Sequence, residues 1–263
     1  MDLTKAVCAL MLIILAGCTP PGGSSGNVDL GIAWVRDAAE YRAASLQAYG
    51  VAAASIDDKV ADATWSALPG QSGAELLPPA VILDVDETAV SNAHFQAALV
   101  PPFRESKLNQ WSDEHIAHAV PGAVEFVAQA VDAGVAVFFV TNRACEAADS
   151  ASCPQEAVVI GELREAGFPA NEDNVLLAGE RPEWSKEKLI RRQHIGKDYR
   201  VIMLFGDDLG DFIACTRRRP LDPCAIGATR ESRWSGVDEH ASLWGNGWYV
   251  LPNPMHGSWT SVE

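Results

Sequence analysis

Positive charge is what this 263-residue chain is short of: 20 Lys and Arg stand against 35 Asp and Glu, a net charge of −15. That balance excludes non-specific nucleic-acid binding, which needs a basic footprint. An anionic ligand must therefore be met locally, by a metal ion or a few placed Lys and Arg. Long apolar runs are also lacking. Ala6–Ala16, near the N-terminus, is too short to cross a membrane as a helix. No internal repeat, long low-complexity tract or CxxC spacing occurs. What is there, 48% hydrophobic residues, suits one globular α/β domain with decorations, or two small domains.

The first residues, MDLTKAVCALMLIILAGC, read as a signal segment: Lys5, an apolar run, then small residues before Cys18. LAGC resembles the lipobox of bacterial lipoproteins, which implies cleavage after residue 17 and a lipid on Cys18. An ordinary secretory signal is the competing reading. Residues 18–27 form a Pro/Gly/Ser tether, and Thr19 after the Cys resembles lipoproteins sent to the outer membrane. Membrane contact is thus expected through a lipid anchor. Cys145, Cys153, Cys215 and Cys224 remain in the exported part, an even number that allows three pairings. The two local bridges, Cys145–Cys153 and Cys215–Cys224, are expected. Structural zinc competes, but both gaps are too long for its usual spacing.

From Val28 to about Ala63 the pattern is helical, with Trp34, Ala38, Tyr41, Ser45 and Ala48 on one face. The chain then alternates. LPPAVILDVD runs into a strand, and PGAVEFVAQAVDAG reads as a helix before the strand Val135–Asn142. The helix QEAVVIGELREAG leads to a short strand at NVLLAG. SKEKLIRRQHI then leads to YRVIMLFGDD, the most apolar strand. Such alternation predicts an α/β fold, a parallel sheet with helices on both faces. Ligands bind such sheets beyond the carboxyl ends of the strands, where Asp84, Thr141 and Asp207 fall. Residues 93–120 have no clear period and are either a small helical cap over the site or a surface loop.

Four pieces sit at strand ends or a helix start: Asp84-Val85-Asp86-Glu87-Thr88, Thr141-Asn142-Arg143, Lys188, and Gly206-Asp207-Asp208-Leu209-Gly210-Asp211. Each alone is weak; in this order they form a strong signal. Residues i and i+2 of an extended segment share a side, so Asp84 and Asp86 can reach one group together.

The set resembles the haloacid dehalogenase (HAD) superfamily of phosphohydrolases, and within it the class C acid phosphatases, secreted lipoproteins with 5′-nucleotidase activity. The blocks AWVRDAAEYRAASLQAY, LDVDET, AVPGAVEF, VTNR, KLIRR, GDDLGDF and LPNPMHGSW carry it over residues 33–259. The resemblance implies a HAD-like Rossmannoid sheet with a small, mainly helical cap. Asp84 is then the nucleophile that forms an aspartyl-phosphate. Asp86 is the acid for the leaving alkoxide and the base for the attacking water. Two carboxylates and a phosphate dianion require a cation, and oxygen ligands select Mg²⁺. By resemblance Asp84, the Asp86 carbonyl and Asp207 hold it, with Asp211 ordering a water or Lys188. Thr141, Asn142 and Lys188 are assigned to the phosphoryl oxygens.

If Ser185 caps its helix, Lys186 and Lys188 both fall in the first turn, where a cation is disfavoured unless it faces an anion. The K-x-x-R spacing of the family selects Lys188. Lys186 then reads as a solvated charge, and Arg191 and Arg192 as surface or structural. Candidates for a nucleobase are Phe95, Trp111, His256 and Trp259; His256 stands where relatives tend to have an aromatic residue. Asp208 departs from the family's frequent Asn and either strengthens metal binding or faces solvent. Glu87 has no assigned role beyond a supporting or cap-contacting one. Family members are often dimers, and a homodimer is the expectation carried over, though no interface is legible.

The expected function is hydrolysis of nucleoside monophosphates and similar small phosphate esters at the bacterial outer membrane. The alternatives are a broad-specificity acid phosphatase or phosphotransferase, and a non-catalytic surface lipoprotein.

Overall fold

The computed structural model describes residues 29–114, 118–145 and 153–262. The signal segment, Cys18 and the whole tether lie outside the described residues. No helix among those described is long and apolar enough to cross a membrane.

The expected long N-terminal helix is two: α1 (Leu30–Asp37) and α2 (Ala39–Ala61). Asp29 caps the first, accepting from Gly31 N and Ile32 N, and extended Ala38 separates them. The break brings Trp34 edge-on to Tyr41, with ring centres 5.7 Å apart. Helical periodicity alone does not reveal one extended residue, because the apolar spacing continues across it.

Strand β1 (Pro79–Leu83) is followed by the two-residue β2 (Val90–Ser91), then α3 (Ala93–Ala98) and α4 (Glu105–Glu114). Next come β3 (His118–Ala119), antiparallel to β2, and α5 (Ala123–Asp132). The insertion carries the helices α3 and α4, and the β2–β3 pair ties down its ends. Strand β4 (Ala136–Ala144) runs two residues past its predicted end. It is followed by α6 (Pro154–Glu165), β5 (Val175–Ala178), α7 (Leu189–Ile195) and β6 (Arg200–Gly206). Last are α8 (Arg230–Glu239) and β7 (Trp248–Val250); β7 had no signal, being three residues at an edge.

The five-stranded sheet is parallel throughout, in the order β5-β4-β1-β6-β7, with β1 at its centre. Alternation sorts its residues. Val81, Leu83, Phe139 and Phe205 pack with Tyr49 and Ile56 of α2, Phe126 of α5 and Leu163 of α6. On the other face Ala80, Ile82, Val140 and Leu204 pack with Trp184, Ile195 of α7, and Phe212. Each fully buried Leu, Ile or Phe contributes about 1.5–3 kcal/mol of transfer free energy. Leu83 pairs with Phe139 and with Phe205, so β1, β4 and β6 end along one edge. Both bridges, Cys145–Cys153 and Cys215–Cys224, are present as expected.

Candidate active site

Strand endings place the chemistry. Asp84 follows β1, its N–H donating to Phe205 O at 3.0 Å, so it leaves the sheet beside the end of β6. Asp207 follows β6, and Asp211 closes a 3-10 turn, Leu209–Asp211. That turn depends on Gly206: a Cβ there would come within 2.3 Å of the Asp211 side chain. Among the described residues, Asp84, Asp207 and Asp211 are the one group of three whose possible ligand atoms lie within 4.8 Å of one another.

Lys188 is buried against this trio, bonded to Asp84 Oδ1 and, at 2.5 Å, to Asp211 Oδ1. Burial lowers its affinity for a proton, but the two carboxylates outweigh this and its pKa lies above the ordinary lysine value. Burial, opposed by Lys188 and reinforced by Asp211 and Asp86, pushes the Asp84 carboxyl up to about 7. Asp207 is raised too, by burial, Asp84 and Asp211, although Asn253 Nδ2 donates to it at 2.6 Å. Three oxygen donors crowded beyond what one lysine neutralises fit a hard divalent cation, whose charge reverses this local field.

Asp86 is handled differently. Arg143 grips it with Nε at 3.1 Å and Nη2 at 2.7 Å, and Asn92 Nδ2 donates at 2.6 Å. Burial raises its pKa, but these donors more than offset that and hold the carboxyl below its usual range. The remaining nitrogen of Arg143, Nη1, is bonded to Glu162 of α6, and both side chains are buried. Sequence reasoning passed over Arg143. Its signal was an arginine at the end of a strand otherwise apolar through Val140.

The other assigned residues fall as follows. Asn142 lines the cavity, its Oδ1 accepting from Arg191 at 3.0 Å, which leaves the amide nitrogen to donate. Thr141 is fully buried, and its hydroxyl serves Asp86 at 3.4 Å and Arg143 N at 3.1 Å. Helix α7 starts at Leu189 rather than after Ser185; Ser185 Oγ caps only the preceding turn, at Glu187 N. Arg191 and Arg192 are buried: Arg191 bonds Thr141 O, and Arg192 bonds the carbonyls of Gly210 and Asp211 at 2.8 Å. Both are structural, and the surface reading is corrected. Lys186 is no free charge either; it reaches Glu105 of α4 at 3.2 Å and lines the cavity.

Asp208 neither faces solvent nor joins the trio. It accepts from Gly210 N, Ser258 N and Ser258 Oγ at 2.6–2.9 Å, fastening the C-terminal segment to the site. Glu87, with φ of 61°, accepts from Asn92 N at 3.0 Å and faces His256 Nε2 at 3.5 Å. It supports the loop that presents Asp86.

The cavity measures about 490 Å³. Of the nucleobase candidates, His256 lines it. Phe95 is buried in the insertion, 6.2 Å from Phe103 and 5.9 Å from Trp111 between ring centres. Trp111 and Trp259 do not line it either; the indole nitrogen of Trp259 donates to His256 O. Phe103, which sequence reasoning did not single out, does.

This arrangement has known counterparts. Residues 28–259 match the family described as HAD superfamily, subfamily IIIB (Acid phosphatase). Among solved structures, the class C acid phosphatase from Bacillus anthracis is similar at 25% identity and a TM-score of 0.69, covering 88% of this chain and 85% of that one. The same enzyme with tungstate bound matches with a TM-score of 0.70 at the same identity and coverage. With nearly the whole described chain inside the match, this protein belongs to the class C acid phosphatases of HAD subfamily IIIB and is a phosphomonoesterase.

Proposed function

We propose that the protein hydrolyses nucleoside monophosphates and similar small phosphate esters through an aspartyl-phosphate on Asp84, with Mg²⁺ as its cation. The convergence of Asp84, Asp207, Asp211 and Lys188 beside an Asp86 clamped by Arg143 carries this reading. The tungstate complex of the Bacillus anthracis enzyme adds to it, since tungstate is a tetrahedral oxyanion like phosphate.

Asp84 attacks phosphorus in line; the P–O bond to the alcohol breaks as the carboxylate–phosphorus bond forms. The entering phosphate dianion opposes the hold of Arg143 on Asp86, so Asp86 takes up a proton there and gives it to the departing oxygen. It then takes one from the water that releases inorganic phosphate and restores Asp84. Arg143 and Asn92 keep Asp86 aimed at the leaving group. Lys188 and the Asn142 amide neutralise and orient the phosphoryl oxygens. Asp84, the Asp86 carbonyl and Asp207 would hold Mg²⁺, with Asp211 ordering a water or Lys188. Bound there, the ion supplies Lewis-acid polarisation and offsets the clustered negative charge.

A phosphate-release panel with and without EDTA tests this. Chelation is expected to remove activity by about 10²-fold or more, and Mg²⁺ to restore it, since a hard ion on oxygen ligands supplies several kcal/mol. Full turnover in EDTA would defeat the metal assignment. The panel compares nucleoside monophosphates with sugar and aryl phosphates. Broad specificity is the second reading, because among the described residues His256 and Phe103 are the ring-bearing side chains that line the cavity.

A lipid on Cys18, at the outer membrane, places this chemistry outside the cytoplasm. The two disulfides support an oxidising compartment. Replacing residues 1–17 with a cleavable non-lipoprotein signal and Cys18 with serine is expected to move the enzyme from the membrane fraction to the soluble one with kcat unchanged. Continued co-sedimentation with membranes would rule out that anchor.

A further inference from the structure

The Cys215–Cys224 bridge closes a loop that carries Arg217, Arg218 and Arg219 in succession, in a chain of net charge −15. The loop is pinned along its length. Arg217 O accepts from Ala228 N at 2.8 Å, Leu221 O from Cys224 N at 2.7 Å, and Asp222 O from Ser185 Oγ at 3.0 Å. Gly227 passes so near that a Cβ would come within 2.0 Å of Arg218 O. Any side chain there would push the loop away.

The pinned loop presents Arg217 to the catalytic cavity, which Ser258 and Ser261 also line. Arg217 is partly buried, yet its guanidinium has no hydrogen bond or ion pair to any described residue. Arg233 is tied down through Nη1, which donates to Thr216 O and Ser258 Oγ at 2.6 Å each. Burial and the charge of Arg217 depress the Arg233 pKa, with Asp208 opposing, so two guanidinium groups crowd one rim. Asp208 supplies one negative charge to this rim, and its oxygens accept from Gly210 and Ser258 rather than from either arginine.

A guanidinium on a cavity wall with no acceptor among the described residues has its planar fork free for an oxyanion. The scissile group has its own cation, Lys188 ahead of α7, while Arg143 on β4 is spent on Asp86 and Glu162. Arg217 enters from a different loop, so it offers a second position for negative charge. The cavity's 490 Å³ leaves room for an ester with a substituent.

We propose that Arg217 forms a second oxyanion subsite, and that favoured substrates carry a second phosphoryl group distal to the scissile one. The proposal rests on the phosphomonoesterase assignment and adds to it a substrate class. The test measures kcat/KM for two pairs: adenosine 5′-monophosphate against adenosine 3′,5′-bisphosphate, and fructose 6-phosphate against fructose 1,6-bisphosphate. Assays run at about 0.3 M salt, where long-range steering is screened and direct contact persists. In Arg217→Ala the bisphosphate-to-monophosphate ratio is expected to fall about tenfold in at least one pair, as loss of a charged bidentate contact implies. A fall of less than fivefold in both pairs overturns the subsite. If Arg217→Ala does not fold, Arg217→Gln is judged by the same criterion. Turnover of the monophosphates by the unaltered enzyme establishes the phosphatase reading separately, whichever way the ratio moves.

Discussion

Replacing Asp84 with asparagine is expected to cut phosphate release by about 10⁴-fold or more, with the fold intact. Asparagine keeps the shape but cannot form the acyl-phosphate, and loss of a nucleophile is among the largest single-residue effects on turnover. Stability should behave differently. In the metal-free protein burial lifts the Asp84 carboxyl to about 7, above its unfolded value. The folded state then binds the extra proton, so this group's contribution to stability falls as pH rises through the window from the unfolded value to about 7. Removing the charge takes that liability away. Melting of Asp84→Asn in EDTA at about pH 8.5, well above that value, is therefore expected to occur no lower than for the unaltered protein. Retention of more than about one per cent of turnover would defeat the covalent mechanism.

Arg143→Ala is expected to be the most costly substitution for stability. Its guanidinium spends Nε and Nη2 on Asp86 and Nη1 on Glu162, and Glu162 is 5% exposed. Deleting one partner of a buried ionic cluster costs about 3–5 kcal/mol, because the remaining charge is left without compensation. At roughly 2–4 °C per kcal/mol for a chain of this size, melting should fall by about 6–20 °C. Glu162→Gln is the control. In that background Glu162 is no longer a charge to be orphaned and only Asp86 loses its partner, so the added cost of Arg143→Ala should shrink, a coupling read directly from a double-mutant cycle. Equal costs in both backgrounds would mean that Glu162 is not what Arg143 stabilises. Activity gives a second reading. Asp86 loses its aim, so turnover of nucleotides and alkyl esters should fall about 10²-fold. Aryl esters should lose less, since their leaving groups need little protonation.

The alternation of apolar strands with amphipathic helices was enough to predict a parallel sheet with its ligand edge at Asp84, Thr141 and Asp207. Those patterns are local, and burial on both faces writes them into composition. The helical insertion was only half legible. Residues 93–120 show no period because Phe95, Phe103 and Trp111 pack in a small cluster of their own rather than along one stripe. The break at Ala38 and the short edge strand β7 were not legible at all. Each involves too few residues to impose a spacing.

Within the site the division is similar. Asp84, Asp86, Asp207 and Lys188 stood out because acidic and basic residues at strand ends and helix starts are conspicuous beside apolar runs. Their partners did not. Arg143 reaches Asp86 across 57 positions, and Arg191 reaches Thr141 across 50. Two arginines read as surface or structural proved to be buried ties between α7 and the strand ends. Lys186, read as solvated, faces Glu105. In each case the deciding quantity is a long-range pairing of charges, and residue identity alone does not say which charges will meet.

By itself the sequence determined the sheet, the order of the motifs and the pair of carboxylates two residues apart, because chain geometry alone puts positions i and i+2 on one side. It also determined that positive charge would be scarce and therefore placed. Only the tertiary structure decided how the three carboxylates of ILDVDET divide their work. Asp84 faces Lys188 and two more aspartates and is pushed upward; Asp86 faces Arg143 and is pushed down; Glu87 turns back to support the loop. The physical reason is that a carboxylate's behaviour is set by its burial and by the charges within a few ångströms, and both are settled only when distant parts of the chain come together.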